Sequence, residues 1–179
     1  MTDQAAIALL PPGLRDLLPP DAETEAAAIE AMGAVFAAHG YERVKPPLLE
    51  FEEGLLGGSG AATADVTFRL MDPLSQRMMG LRADITPQVA RIAAVRLGRS
   101  PRPLRLSYSG QVLRVRGSEL RAARQFAQAG IELIGADCAE ADAEVIAEAA
   151  QKGGDSVEQM AAMITQTAKA GEQVGSAVE

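Results

Sequence analysis

Residues 103–135 constrain the fold of this chain more than any other stretch. Apolar and polar residues alternate over 104–113, which is the period-two pattern of a strand with one buried face. Gly110 is expected to interrupt this strand briefly. A charged loop follows, and a second strand is predicted over about Gln125–Ile134. Strand, long loop and returning strand predict an antiparallel hairpin.

The loop of this hairpin is strongly basic and carries Arg114, Arg116, Glu119, Arg121 and Arg124. Guanidinium groups bind phosphate and carboxylate through paired hydrogen bonds, so the loop suits an anionic small ligand. The same residues also fit a solvated edge hairpin whose arginines only maintain solubility. The residues alone leave both interpretations open.

On the returning strand, Gln128, Gly130 and Glu132 share one face by the period-two rule. These polar side chains flank a glycine and lie between apolar Ile131 and Leu133. The pattern indicates the floor of a pocket rather than a dry core.

Composition restricts the class of protein. The 179 residues suffice for one domain, and with 47% hydrophobic but only 3% aromatic residues its core must be aliphatic. The single cysteine, Cys138, excludes an intramolecular disulfide, and neither a signal peptide nor a membrane-length apolar run is found. These features predict a cytoplasmic protein without a membrane partner.

Charge is distributed unevenly along the chain. The net charge is −7, yet residues 82–124 carry ten arginines against Asp84 and Glu119. An acidic body around a basic middle favours an enclosed anion site over a nucleic-acid-binding surface. No nucleic-acid partner is therefore expected.

The part of the chain before the basic region predicts a leader, a turn, a helix and a second hairpin. A mobile leader over 1–12 precedes a compact turn over 12–20. Asp21 is expected to cap a helix that reaches about His39, with Gly40 ending it. His39 receives no function, because a lone histidine at a helix end is far more often a favourable charge than a ligand. An extended stretch is expected over 41–50, and a glycine-rich loop over 51–60, with room for a short helical turn before it. Two short strands are expected over 66–71 and 77–81.

A second helix is predicted after the sequence LRADIT at 81–86. Thr86 as N-cap, with Pro87 in the first helical position, predicts a helix that reaches about Leu97 and ends at Gly98. Asp84 and Thr86 either cap this helix, bind a ligand or do both. Later, residues 139–151 and 156–170 each predict a further helix, separated by a break at 151–155.

Three motifs in order resemble the class II aminoacyl-tRNA synthetases, in particular the histidyl-tRNA synthetase branch and the related regulatory subunits of ATP phosphoribosyltransferase. They are Gly-Leu-Arg-Asp at 13–16, the stretch at 81–91, and Leu-Arg at 113–114 followed by RQFAQAGIE at 124–132. The resemblance covers about residues 12–150. It implies an α+β fold, namely an incomplete class II synthetase-like antiparallel sheet flanked by helices. Residues 1–150 are then the N-terminal part of that domain, and 151–179 are an atypical C-terminal tail with one helix.

The resemblance also implies roles for individual residues. Arg114 corresponds to the arginine that holds the α-phosphate of ATP, and Arg124 is a second candidate for binding an anion. Residues 41–50, with Pro47, resemble motif 1 and imply a homodimer. The positions that correspond to the histidine pocket are Asp84, Thr86, Gln128 and Glu132.

Departures from the synthetase pattern argue against catalysis. Arg116 replaces an acidic residue that helps to seat the nucleotide, and a guanidinium cannot accept the hydrogen bonds that a carboxylate accepts. Motif 3, the later arginine-bearing histidine-binding stretch and an anticodon-binding domain are not found. We expect a chain that is not an enzyme, with no cofactor and no metal.

Three interpretations follow. The first is a histidine-binding regulatory subunit that partners a short-form ATP phosphoribosyltransferase catalytic subunit. It is needed for the activity of that partner or for its feedback control. The sequence DITPQVAR at 84–91, together with Arg116, favours the regulatory subunit. The second is a truncated histidyl-tRNA synthetase, and the third is a non-functional remnant of either protein that folds only in part.

Overall fold

The computed structural model describes residues 9–118 and 122–150. Its α-helices in this range are α1 (Asp21–Ala38), α2 (Glu52–Leu55), α3 (Thr86–Arg91) and α4 (Ala139–Ala150). Its strands are β1 (Glu42–Arg43), β2 (Leu49–Phe51), β3 (Phe68–Met71), β4 (Met78–Leu81), β5 (Leu104–Leu113) and β6 (Gln125–Ile134). A 3₁₀ segment, Gly58–Val66, precedes β3, and a π-helical segment, Ile92–Arg96, continues α3.

The predicted hairpin of β5 and β6 is confirmed. The two strands pair in antiparallel register without a break, from Leu104 opposite Ile134 to Leu113 opposite Gln125. The expected interruption at Gly110 is wrong. A side chain at this position would collide with the guanidinium of buried Arg82, whose Nε donates a hydrogen bond to the carbonyl oxygen of Gln111 at 2.8 Å. The glycine therefore makes room for an arginine and leaves the strand continuous.

Helices cover both faces of the sheet that contains this hairpin. One face carries Leu106, Tyr108 and Val112 and packs against Ile85 and the helix that follows it, and this contact forms the buried core. On the opposite face, Gln111 bonds to Glu25 of α1 and Arg105 bonds to Glu144 of α4. The expected α+β fold, an antiparallel sheet flanked by helices, is confirmed. The short strand β1 joins the edge of β5 in parallel orientation.

A second antiparallel sheet has the strand order β2-β4-β3. The predicted hairpin of β3 and β4 is confirmed, although its first strand begins at Phe68 because residues up to Val66 form the 3₁₀ segment. Carboxylate oxygens of Asp72 accept hydrogen bonds from the backbone N–H groups of Leu74 and Ser75 at 3.2 and 3.1 Å. This local bonding explains the turn.

Both predicted N-caps are wrong by one residue. Pro20 occupies the cap position of α1, and Asp21 is its first helical residue. Thr86 is likewise the first residue of α3, after Ile85, and its backbone N–H donates to the carboxylate of Asp84 at 2.9 Å. Asp84 thus satisfies the helix start and leaves the Thr86 hydroxyl available for other contacts.

Other expectations have mixed outcomes. Gly40 has φ +80° and follows α1, as predicted for a residue that ends a helix. The short helical turn expected before the glycine-rich loop of 51–60 is present as α2, while the end of that loop belongs to the 3₁₀ segment. Residues 1–8 of the leader, 119–121 of the basic loop, the helix expected over 156–170 and the tail from 151 lie outside the described residues. Among those described, no helix is both long and apolar enough to cross a membrane.

The core between the hairpin and α3 yields a stability prediction. Leu106 is 1% exposed at the centre of the core, whereas Leu74 is 93% exposed at the tip of the β3–β4 hairpin. Leu106→Ala should lower the free energy of unfolding by about 2 to 5 kcal/mol, because it removes buried apolar contacts and leaves a cavity. Leu74→Ala is the matched control and should change it by less than about 0.5 kcal/mol. Chemical denaturation measures both, and equal effects would contradict this assignment of the core.

Candidate functional site

The four residues that the sequence assigned to a histidine pocket lie together in the structure. They meet, with one further side chain, where the start of α3 approaches the face of β5 and β6 that also carries the core. The group, named here the Asp84 cluster, consists of Asp84, Thr86, Tyr108, Gln128 and Glu132. Whether it binds histidine stays a prediction.

Gln128 joins strand β6 to the start of α3. Its side chain is 4% exposed, its Nε2 donates to Oδ1 of Asp84 at 2.9 Å, and its Oε1 accepts from the backbone N–H of Ile85 at 2.9 Å. Because one partner is an acceptor and the other a donor, the orientation of the amide is fixed. Asp84 is therefore held in place by hydrogen bonds from β6 and from the first turn of α3.

Tyr108 is a member of the cluster that sequence reasoning missed. Its hydroxyl lies 2.9 Å from the Thr86 hydroxyl and donates to Oε1 of Glu132 at 3.4 Å. The residue opposite it on β6 is Gly130, where a Cβ atom would lie 2.6 Å from the tyrosine hydroxyl. The alternating pattern marked Tyr108 only as apolar. The signal that could have found it is the hairpin register, which places a tyrosine directly across from a glycine.

The two carboxylates of the cluster differ in their surroundings. Burial raises the pKa of Glu132 to about 8, and the negative charge of Asp84 adds to this, while hydrogen bonds from Thr86 and Tyr108 act in the opposite direction. Burial, followed by the charge of Glu132, also raises the pKa of Tyr108 well above its usual value. In the described part of the chain, neither Asp84 nor Glu132 forms an ion pair with a basic side chain. The cluster is thus an acidic site without a cation of its own.

The two arginines that the sequence assigned to anion binding have different positions. The Nε of Arg114 donates to the carbonyl oxygen of Ala83 at 3.2 Å, and its guanidinium lies 5.2 Å from the ring centre of Phe126, so it borders the Asp84 cluster. Arg124 instead donates from Nε to the carbonyl oxygen of Arg114 at 3.2 Å and from a terminal nitrogen to that of Pro12 at 3.1 Å. It fastens the N-terminal turn to the hairpin. Anion binding by either arginine stays a prediction.

Arg116, the arginine at the position where the synthetase pattern has an acidic residue, is exposed on the surface of the basic loop. Within 9–118 and 122–150, no group of three or more His, Cys, Asp or Glu side chains is placed to hold a metal ion. The carboxylates, hydroxyls and amide of the Asp84 cluster offer hydrogen bonding and charge recognition.

Sequence comparison identifies the family of this fold and site. The family profile described as Histidyl-tRNA synthetase matches residues 13–166. The chain belongs to the histidyl-tRNA synthetase family. The match includes the Asp84 cluster and the whole of the β5–β6 hairpin.

Within this family the chain is similar to proteins named ATP phosphoribosyltransferase regulatory subunit. The relative from Paramagnetospirillum magneticum is 69% identical over 146 residues, which are 82% of this chain and 38% of the relative. The relative from Rhodospirillum centenum is 66% identical over 149 residues, which are 82% of this chain and 39% of the relative. The chain therefore spans about two fifths of the length of these curated relatives.

A solved structure of the family supports the same fold. The crystal structure of an ATP phosphoribosyltransferase regulatory subunit/histidyl-tRNA synthetase from Bacillus halodurans matches with a TM-score of 0.69 at 33% sequence identity. The match covers 83% of this chain and 37% of that one. The predicted resemblance to histidyl-tRNA synthetases and their regulatory paralogues is confirmed.

The raised pKa of Glu132 predicts how stability depends on pH. Its pKa is about 8 in the folded chain against 4.5 as the ordinary value, so the folded state keeps a proton that the unfolded state releases. The contribution of Glu132 to stability is therefore complete below pH 4.5 and is lost as the pH rises towards 8. The side chain in Glu132→Gln is neutral at every pH. At pH 7.5 the free energy of unfolding of this variant should be roughly 2 to 4 kcal/mol higher than that of wild type, and near pH 4.5 the two should be equal.

Urea denaturation of both proteins across this pH range measures the difference. Glu144→Gln is the control, because Glu144 is an acidic residue outside the cluster whose pKa is lowered, mainly by its hydrogen bond to Arg105. It should show no gain in stability as the pH rises. A constant difference between Glu132→Gln and wild type across the range would show that Glu132 is ionised in the folded chain.

Proposed function

We propose that this chain acts as a regulatory subunit of ATP phosphoribosyltransferase and that the Asp84 cluster is its binding site for histidine. The names of the relatives support the first half, and they apply to proteins of which this chain spans about two fifths. The geometry of the cluster supports the second half. Histidine biosynthesis in the cytoplasm is the setting that this assignment implies.

The convergence of the Asp84 cluster is the observation that carries the proposal. A buried amide, two carboxylates and two hydroxyls from three separate chain segments meet at one place. Buried polar groups are costly unless they are paired, and carboxylates without a basic partner are especially costly. A fold that needed only stability would place apolar residues here. The acidic character of the cluster therefore supports a ligand that brings a positive charge.

Histidine matches the groups that the cluster provides. Its α-ammonium group offers hydrogen-bond donors and a positive charge to the carboxylates of Asp84 and Glu132. Its imidazole has one donor and one acceptor nitrogen when neutral, and the hydroxyls of Thr86 and Tyr108 can serve either. Ligand sites usually combine such a small number of fixed polar groups with an apolar wall, which the core residues beside Tyr108 supply here.

Regulation rather than catalysis is favoured by Arg116 and by the names of the relatives. A second candidate, a histidyl-tRNA synthetase fragment, is favoured by the position of Arg114, which borders the cluster as an arginine for the ATP phosphate would. Adenylate formation also needs the nucleotide seated in line with the amino acid. The exposed guanidinium of Arg116 cannot replace a carboxylate in that task. We therefore propose that the chain is not an enzyme.

The proposed assembly contains a short-form ATP phosphoribosyltransferase catalytic subunit and a second copy of this chain. The segment that resembles motif 1 supports the homodimer. Leu48 is 52% exposed beside β2, and the carbonyl oxygens of Pro46 and Pro47 accept hydrogen bonds from Arg82 and Gln88 at 2.9 Å. The segment is thus held firmly from within while it presents an apolar side chain outwards.

Substitutions at Thr86 test the histidine site. Thr86→Val keeps the shape of the side chain but removes the hydroxyl that lies 2.9 Å from Tyr108. It should weaken histidine binding roughly tenfold, since a lost hydrogen bond in a buried site costs on the order of 1 to 1.5 kcal/mol. Thr86→Ser keeps the hydroxyl and should stay within roughly threefold of wild type. Isothermal titration calorimetry with L-histidine measures both, and thermal melts monitored by circular dichroism verify that the variants fold.

Equal affinities of the valine and serine variants would remove Thr86 from the site. Absence of histidine binding by the folded wild-type chain would overturn the ligand assignment altogether.

The regulatory assignment is tested by assembly. The chain, mixed with a short-form ATP phosphoribosyltransferase catalytic subunit, should co-elute with it in size-exclusion chromatography with light scattering, at a mass that includes both proteins. Histidine should change the activity of the mixture and not that of the catalytic subunit alone, because the regulatory effect requires the second site. Thr86→Val should still co-elute but need more histidine for the same effect. Separate elution would overturn the regulatory assignment, and ATP–pyrophosphate exchange above background by the chain alone would support the synthetase candidate instead.

A further inference from the structure

Arg124 connects the start of β6 to three other segments of the chain. Its backbone N–H donates to the carbonyl oxygen of Gly13 at 2.8 Å, and its own carbonyl oxygen accepts from the backbone N–H of Arg114 at 2.8 Å. Its guanidinium donates from Nε to the carbonyl oxygen of Arg114 and from a terminal nitrogen to that of Pro12. The same group lies 5.1 Å from the ring centre of Phe68 on β3. Arg124 therefore holds the N-terminal turn to the base of the β5–β6 hairpin through both its backbone and its side chain.

The turn that Arg124 holds, named here the latch, consists of residues 11–14. It is closed by a hydrogen bond from the backbone N–H of Leu14 to the carbonyl oxygen of Pro11 at 3.0 Å. Gly13 has φ +80°, and a Cβ atom at this position would lie 2.8 Å from both Cγ and Cδ of Arg124. The glycine is therefore required both by the left-handed backbone and by the arginine side chain that passes over it.

The contacts continue from Arg124 to the backbone of the Asp84 cluster. Arg114, which pairs with Arg124, donates from its Nε to the carbonyl oxygen of Ala83 at 3.2 Å, and Ala83 directly precedes Asp84. Beside this contact, the backbone N–H of Leu113 donates to the carbonyl oxygen of residue 82 at 3.1 Å. Two neighbouring residues at the end of β5 thus hold the segment that leads into the cluster. A displacement of Arg114 would reach the cluster within one residue.

We propose that Arg124 is a positioning residue which, together with the latch, sets the Arg114 guanidinium against the segment that leads into the Asp84 cluster. The N-terminal turn then supports the binding site from a distance. Since Arg124 already gives two of its N–H groups to carbonyl oxygens of the chain, it has fewer left for an anion. The inference rests on the proposed function where it concerns histidine, whereas the position of Arg114 is measurable without a ligand.

Gly13→Ala disturbs the latch without replacing either arginine. The added Cβ collides with the side chain of Arg124, and the φ of +80° is strained for alanine. Gly40→Ala is the matched control, because Gly40 has the same φ of +80° but nothing lies within 4 Å of its added Cβ. Both variants should lose stability through the strained backbone. Only Gly13→Ala should displace Arg114.

NMR of the side-chain Nε–H group of Arg114 measures this displacement in the unliganded chain. The signal is assigned by its absence in Arg114→Lys. In Gly13→Ala it should shift and exchange with solvent roughly tenfold faster, because the hydrogen bond to Ala83 is weakened. Arg124→Lys should have the same effect, since a lysine presents its donors from a single nitrogen and loses the fork of the guanidinium. Gly40→Ala should leave the signal as in wild type. An Arg114 signal that neither Gly13→Ala nor Arg124→Lys alters would overturn the positioning.

Calorimetric titration with L-histidine measures the consequence for binding. Gly13→Ala and Arg124→Lys should each weaken binding roughly threefold to tenfold, and Gly40→Ala should bind as wild type does. The double variant should bind no more weakly than the weaker of the two single variants, because both break one connection. Arg124→Lys keeps the positive charge, so an affinity equal to that of wild type would show a purely electrostatic role and overturn the proposal.

The two measurements separate this inference from the proposed function. Absence of histidine binding by the folded wild-type chain would overturn the proposed function, and the Arg114 signal would still decide the positioning. Histidine binding that the latch variants leave unchanged would overturn the positioning role and leave the proposed function standing. Thermal melts monitored by circular dichroism verify folding, and Arg124→Lys carries both measurements should Gly13→Ala fail to fold.

Discussion

The buried amide of Gln128 is the contact on which the site depends. It bonds to the carboxylate of Asp84 and to the backbone N–H of Ile85, and so fixes the first turn of α3 against β6. Ile85 is itself fully buried, and its side chain begins the core that continues through Val89 and Ala93. The polar cluster and the apolar core are therefore adjacent parts of one sheet face. Since both meet at Ile85, the packing of the core sets the position of the polar groups of the cluster.

The outer side of α3 is fixed by a second polar network. The guanidinium of Arg91 donates to both carboxylate oxygens of Glu50. The Nε2 of Gln88 donates to Oε1 of Glu50 and to the carbonyl oxygen of Pro47, both at 2.9 Å. Bidentate arginine–carboxylate pairs are geometrically specific, so this network defines the distance between the helix and the segment that resembles motif 1. Helix α3 is thus attached to β6 at its first turn and to the 46–50 segment along its side. A shift of α3 at the cluster would have to break or move both attachments.

Much of the fold could be predicted from the sequence because its signals are local. The alternation over 104–113 and the pairing with Gln125–Ile134 were both predictable, since a long loop between two periodic runs leaves one simple hairpin. The failures occur where tertiary contacts replace local ones. The start of α3 was misplaced because Asp84, itself held by Gln128, satisfies the first backbone N–H of the helix. The predicted interruption of the strand at Gly110 was wrong because a glycine is needed there for another purpose. It makes room for the guanidinium of Arg82, which comes from a distant segment of the chain.

A count of charged residues along the chain does not show which of them are paired within the fold. The ten arginines between 82 and 124 suggested an enclosed anion site. Within the described part of the chain, six of them bond to carbonyl oxygens or carboxylates of the chain itself, namely Arg82, Arg91, Arg102, Arg105, Arg114 and Arg124. The two carboxylates of the Asp84 cluster, on Asp84 and Glu132, form no ion pair with an arginine in the described part of the chain. The local excess of arginine therefore reflects contacts that hold the scaffold together, whereas the two carboxylates of the cluster support the proposal of a ligand with a positive charge.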